Sequence, residues 1–326
     1  MQNVLVISNC RLGDALVMIP ALRSLKALPA RITLASEAAA HGIVAAEDIL
    51  GDRNLVDCFV KMSTSGSFFA RFLDRLRFFA RMRRKKWDLG VVLMPPCPPL
   101  TMRLVKRLRT YLRLCGCRQI IAPQDIYADK HVADMMLDML SQNGIAPIAD
   151  ASLPPLEKPA PSPLPLGKKY IAVAPGANMP VNCWKLENYA AVLNLLTAKY
   201  NFTPVYFSGE NERKICEQLN ETVPGHTVIG KPLPEVESAM RQCRAYLGND
   251  TGLVHLAAAL GLPCLCIYSN RNPHGIWEPY TTHKLIFYPE DCGCTGCLRQ
   301  DCDKMCINKT TPEKVLAAIE SSPLMP

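Results

Sequence analysis

The chain predicts an α/β protein built from two Rossmann-like, doubly wound parallel-sheet domains. Three observations carry this. Short apolar runs alternate with helical stretches in both halves, the signature of strands joined by crossover helices. Between them, residues 147–165 hold seven prolines in nineteen positions, a stiff, extended linker. The 326 residues suffice for two domains of ordinary size. The expected division is 1–146, a Pro-rich linker over 147–168, and 169–326, the last part ending in a Cys-rich tail and a helix.

In the first half the predicted strands are 3–8, 31–36, 55–60, 88–95 and 119–123. A helix over 15–28 is interrupted by Pro20, and another over 131–144 ends at a Gly stop. Residues 71–86 and 103–118 have helical periodicity, with Arg on one side and Phe, Leu or Met on the other. In the second half, strands are expected at 170–177, 203–209, 226–230, 245–250 and 263–269. Helices are expected at 186–200, 210–220, 234–243 and from Thr251 onward.

Composition narrows the function. No apolar run is long enough to span a membrane. The opening "MQNVLVISNC" has no basic leader and predicts a first buried strand, not a signal peptide. The net charge of +8 lies wholly in residues 1–150, with 21 Lys+Arg against 13 Asp+Glu; residues 151–326 balance at 16 each. The two basic helical stretches read either as solvated faces or as a surface for a phosphorylated or membrane-borne partner. No nucleic-acid motif accompanies them. Most of the fifteen cysteines are expected to be reduced.

Four stretches bear chemistry. "SNCRLGDALVMIP" follows the first strand with one loop Gly, not the three of a dinucleotide fingerprint, so NAD is poorly supported. Its Asp14 reads as a helix cap or as a carboxylate able to accept a proton. "GNDTGLVHLAAALGLP" sets Asp250, Thr251 and Gly252 at a helix start, with His255 one turn on. Such residues are ordinary caps, but free N–H groups, the helix dipole, a hydroxyl and an unobstructed Gly also suit a diphosphate. "APGANMPVNCWKLENY" and "FSGENERK" are two further strand-to-helix turns. Glu212 in the second either bonds sugar hydroxyls or merely favours a helix N-terminus. In the tail, Cys294, Cys297, Cys302 and Cys306 have a spacing that could ligate Zn or an iron–sulfur cluster, or thiols that simply pack. No D-x-D signature appears where a metal-bound diphosphate would need it.

In this order, Arg11-x-Gly13-Asp14 with Pro20, "APGANMPVNCWKLENYAAV", "FSGENER", "NDTGLVHLAAALGLP" and the tail's T-x-P-E-x-V resemble the bacterial lipopolysaccharide heptosyltransferases, glycosyltransferase family 9. The resemblance spans nearly the whole chain, and its most specific part is the 250–263 motif. It implies a GT-B arrangement of two Rossmann-like domains facing across a cleft, the first for acceptor and the second for nucleotide sugar. It implies inverting, metal-independent transfer of heptose from ADP-heptose to the lipopolysaccharide inner core by a cytoplasmic enzyme peripheral to the inner membrane, without cofactor. Asp14 matches the catalytic carboxylate, and Arg11 and Gly13 its acceptor loop. Asn178, Lys185, Glu212, Asp250, Thr251, Gly252 and His255 fall to the donor side. One position departs: a Lys is common two residues before the Trp, where this chain has Asn182 before Trp184, and Lys185 stands where Pro is usual. The departure bears on donor identity. Another nucleotide sugar, an epimerase of similar fold, or a quiet paralogue binding nucleotide or lipopolysaccharide are the competing readings.

Overall fold

The computed structural model describes residues 1–8, 11–37, 44–62, 68–94, 101–124, 130–290, 292–299 and 302–322. Cys10, in the first motif, lies outside them. The chain divides into two compact units, Met1–Glu157 and Lys158–Pro326.

The first unit has five parallel strands: β1 Gln2–Ser8, β2 Ala30–Glu37, β3 Cys58–Met62, β4 Trp87–Val92 and β5 Cys117–Ile121. Their order is β3-β2-β1-β4-β5. Val4 to Ile7 of β1 are fully buried, because a central parallel strand is covered on both faces. Its register aligns Val4 with Ile32 of β2 and with Leu89 of β4. The helices are α1 Leu12–Val17, α2 Ile19–Lys26, α3 Ala46–Leu50, α4 Phe68–Arg83, α5 Thr101–Leu114 and α6 Val132–Ser141. After β1 the chain steps outward to β2 and β3, then returns to β4. That reversal makes β1/β4 the topological switch point, beyond whose carboxyl ends such sheets bind ligands. α4 and α5 close a core of Leu5, Ile7, Met82, Trp87, Leu108 and Leu112.

Several boundaries differ from expectation for physical reasons. The first helix begins at Leu12 and bends at Met18, with Pro20 in the opening turn of α2, where its missing N–H costs nothing. Gly13 and Asp14 are therefore helical. β3 begins at Cys58, not residue 55, because Asp57 takes the Ile32 N–H at 2.7 Å and Lys26 at 2.6 Å. The helix predicted over 103–118 ends at Leu114; Gly116 turns at φ +83°, and Cys117 pairs with Trp87 of β4. The Pro-rich stretch is no free linker at its start. Ile148 N–H donates to Ser24 Oγ at 2.8 Å, Arg23 holds the Ser152 carbonyl at 2.8 Å, and Arg53 holds that of Pro154.

The second unit has six parallel strands: β6 Lys169–Ala174, β7 Phe202–Ser208, β8 His226–Ile229, β9 Cys243–Asn249, β10 Cys264–Ile267 and β11 Lys284–Phe287. The order is β11-β10-β9-β6-β7-β8, with the switch point at β6/β9. Its helices are α7 Leu186–Tyr200, α8 Arg213–Thr222, α9 Leu233–Met240, α10 Gly252–Ala259 and α11 Pro312–Ser321. α7 and α11 pack on one face over Trp184, Tyr189, Leu193, Leu247 and Ile319. The sequence reading had no β11. Its four residues are too few to show a period, and it exists by pairing with β10, Cys264 opposite Lys284.

Candidate functional site

Each unit gathers polar groups at the carboxyl edge of its switch point. In the first unit the group is Asp14, the third residue of α1. Its Oδ2 accepts the Arg11 backbone N–H at 3.1 Å, so it does brace the helix start. It is half-buried. Burial pushes its carboxyl up to about 6, against the opposing pull of that N–H and of the Arg11 charge. A carboxylate poised near 6 is mostly ionised at neutral pH yet basic enough to take a proton in a transition state. Arg11 is exposed and is the N-cap residue of α1; Gly13, half-buried, is in its first turn.

The second unit's edge is built around Asn249, the last residue of β9, which sequence reasoning did not single out. It is fully buried. Its Oδ1 accepts from Tyr189 Oη at 2.8 Å and the Trp184 N–H at 3.4 Å; its Nδ2 donates to the Pro175 carbonyl at 2.7 Å. One amide thus ties the turn after β6 and the start of α7 to the end of β9. Trp184 passes the tie outward, donating from Nε1 to the Thr310 carbonyl at 2.8 Å. The only local signal for Asn249 was its place one residue before Asp250.

The donor-side candidates arrange around this amide. A Cβ built at Gly176 would lie 2.7 Å from Glu212 Cγ and 2.8 Å from its Cβ. Glu212 therefore packs directly on the β6 turn, and only Gly fits beneath it. Asn178 is exposed in the same turn. Thr251 is the N-cap residue of α10, in extended backbone (φ −142°, ψ 169°), yet its side chain makes no capping bond. The plain capping role is thus not filled, and the first N–H groups of α10 keep their capacity for an acceptor. His255 is buried, with its ring edge-on to Trp277 at 6.5 Å between centroids. Asp250 is half-buried. Burial raises its carboxyl to about 6, opposed by the Arg271 charge and by the Asn272 amide, which donates at 3.1 Å. Arg271 is a cation beside this motif that the sequence reading missed, since it lies in the loop after β10 with no periodic pattern.

Asn182, where the resemblance leads to the expectation of a Lys, is buried and accepts from Ser269 Oγ at 2.6 Å. Here the position is a brace between the β6 turn and the end of β10. Lys185, the N-cap residue of α7, is exposed, and its backbone N–H donates to Asn308 Oδ1 at 3.1 Å.

In the tail, Cys292 Sγ lies 3.6 Å from Cys294 Sγ and takes the Asn270 amide at 2.8 Å. This thiol cluster thus includes Cys292, which the spacing argument had left out. Among the described residues no three His, Cys, Asp or Glu side chains are placed to hold a metal ion, Cys294, Cys297, Cys302 and Cys306 included. All described cysteines are free thiols. Among the described residues no helix is long and apolar enough to cross a membrane.

Comparison with known proteins matches residues 133–308 to glycosyltransferase family 9 (heptosyltransferase). Lipopolysaccharide heptosyltransferase 3 of Escherichia coli is 24% identical over 132 residues, which span 39% of this chain and 38% of that relative. Lipooligosaccharide heptosyltransferase 2 of Haemophilus ducreyi is 29% identical over 116 residues, 32% of this chain and 33% of the relative. The fold recurs more widely. A family 9 glycosyltransferase of Veillonella parvula superposes with a TM-score of 0.77 at 17% identity, covering 98% of this chain and 96% of that one. ADP-heptose lipopolysaccharide heptosyltransferase II of E. coli gives 0.73 at 17% identity, covering 98% of each. The two-sheet α/β architecture is therefore that of the heptosyltransferase structures.

Proposed function

The chain belongs to glycosyltransferase family 9, and from that premise we propose that it is an inverting, metal-independent heptosyltransferase acting from ADP-heptose on the lipopolysaccharide inner core. The observation that carries the reading is the second unit's edge: Gly176 under Glu212 and the uncapped start of α10, either side of the Asn249 amide, with the Arg271 charge acting on Asp250. Free N–H groups at a helix start bind a diphosphate without a divalent ion. The first unit supplies acceptor contacts and a base. Asp14 takes the proton of the acceptor hydroxyl as its oxygen attacks the anomeric carbon. The bond to the diphosphate breaks, ADP leaves with the electron pair, and a single displacement inverts the centre. Asp14, Arg11 and Gly13 serve the acceptor side; Asn178, Lys185, Glu212, Asp250, Thr251, Gly252 and His255 serve the donor. Asn182 being a brace, the charge of the leaving group falls to the α10 start, Arg271 and Lys185. The setting is the cytoplasmic side of the inner membrane, with peripheral contact to it.

The E. coli heptosyltransferase WaaC, of like fold, has been solved with ADP and with ADP-2-deoxy-2-fluoro heptose, which supports an adenine donor here. The test is calorimetric binding of ADP, UDP and GDP in the presence of EDTA. Selective binding of ADP, unchanged by EDTA, is expected. Preference for UDP or GDP removes heptose as the sugar, and binding only with Mg²⁺ contradicts a helix-start cradle.

A further inference from the structure

The charge in the first unit is concentrated, and it is not evenly solvated. Residues 68–118 hold 14 Lys+Arg and two Asp, a local +12 in a chain of +8. α4 and α5 carry ten of these fourteen cations and one of the two Asp. α4 packs inward through Met82, fully buried, and through Phe78 and Phe79, which lean on the same core. Phe79 meets Tyr111 of α5 edge-on at 5.2 Å, so the two helices lie side by side. Their outer faces form one surface.

That surface is not merely basic. Phe72 and Leu76 of α4 are 51% and 48% exposed, and Leu114 at the end of α5 is 43% exposed. At about 100° per residue, positions 72, 76, 79 and 83 share one stripe, with 75 beside it. The stripe thus carries two bare apolar side chains one turn apart ahead of Phe79, with Arg83 along it and Arg75 beside it. On α5, Val105, Leu108 and Leu112 face the core while Arg103, Lys106, Arg107 and Arg113 are exposed. Among the described residues, the only ion pair on the two helices is Arg77 with Asp74, at 3.4 Å.

We propose that the outer face of α4 and α5 docks on an anionic phospholipid surface, with Phe72 and Leu76 entering the headgroup boundary and the flanking arginines meeting lipid phosphates. Charge complementarity selects an anionic partner. The exposed Phe72–Leu76 pair selects lipid, because both side chains gain by leaving water at a bilayer interface. The inference rests on the proposed function only in its purpose, which is to bring a membrane-embedded acceptor within reach, and it is tested without any glycosyl transfer.

The experiment is co-sedimentation of the full chain with vesicles of phosphatidylethanolamine and phosphatidylglycerol, beside vesicles of phosphatidylcholine alone, across a salt series. Binding is expected to the anionic vesicles and to fall steeply with salt. R107E with R113E should weaken it about tenfold or more. F72S with L76S should weaken it severalfold while leaving the helical circular dichroism and melting temperature unchanged. As a second readout, F72W should shift its emission to the blue on adding anionic vesicles. Equal binding to both vesicle types, wild-type binding by F72S/L76S, no shift in F72W, or preference for an oligonucleotide over vesicles would each overturn the proposal. Loss of ADP binding with vesicle binding intact would instead defeat the proposed function and leave this surface standing.

Discussion

The two units share one architecture and divide its uses. Both are parallel sheets with a switch point, and both place polar residues just beyond it. In the first unit that place holds, among the described residues, the Asp14 carboxylate, which accepts a hydrogen bond from the Arg11 N–H and has a raised pKa. In the second it holds a connected set, in which Asn249 ties two turns and a strand end together. The first unit carries nearly all the positive excess, concentrated on its outer helices; the second is close to charge balance. A lone, poorly solvated acid suits proton transfer, whereas a braced edge suits holding a ligand in one geometry. The same fold thus acquires two roles from what is put at equivalent edges.

The comparison breaks most visibly at Asn249. Asn249→Ala orphans the Tyr189 hydroxyl and the Pro175 carbonyl, both buried. It should destabilise the protein by about 3 kcal/mol in denaturant unfolding and lower ADP affinity about a hundredfold by calorimetry. Near-native ADP binding would mean that the second edge does not depend on its buried amide. Gly176→Ala is next. The added methyl must displace Glu212, at a cost of about 1–3 kcal/mol, and ADP affinity should fall about tenfold. Unchanged affinity would remove Glu212 from the donor site.

Asp14 sharpens the contrast from the other side. Its folded pKa, about 6, lies above the ordinary 3.8, so the fold disfavours its charged form. That penalty is present above pH 6, shrinks as the pH falls through 6, and is gone below about 4, where folded and unfolded chains both hold the proton. Asp14→Asn should therefore be the more stable protein at pH 8, by about 1–3 kcal/mol, and equal to wild type at pH 4. Thermal melts at the two pH values decide this. Equal stability at pH 8 would mean that Asp14 is solvated like any surface acid. The smallest effect belongs to Lys185. Being exposed, its removal in Lys185→Ala should weaken ADP binding only about two- to fivefold, more at low salt than at high. No change at low salt would leave the diphosphate to the α10 start and Arg271 alone.

Much of this was legible in the sequence because it is local. β1 and β6 are short continuous apolar runs, and the 248–263 stretch announces a strand end followed by a helix. Asp14 and Glu212 stand at the turns where such sheets place their chemistry. What escaped was long-range. Asn249 acts through Tyr189, 60 residues away, and Pro175, 74 residues away, and no periodicity reports such pairs. Asn182 looked like a missing cation until Ser269, 87 residues on, was seen to hold it. β11 exists only because β10 offers an edge. α1 starts three residues before the expected position: Gly13 reads as a loop residue in isolation, but the Ala15 N–H on the Arg11 carbonyl and the Asp14 carboxylate on the Arg11 N–H close the earlier turn.

The division of roles is tested most directly by one pair of measurements on Asp14→Asn: the rate of transfer from ADP-heptose to a heptose-deficient lipopolysaccharide core, and the calorimetric affinity for ADP. The account predicts a fall in kcat of about 10²–10⁴-fold, with ADP affinity the same as wild type. Transfer at the wild-type rate would contradict Asp14 as the base, and a matching loss of ADP affinity would contradict the separation of the two edges.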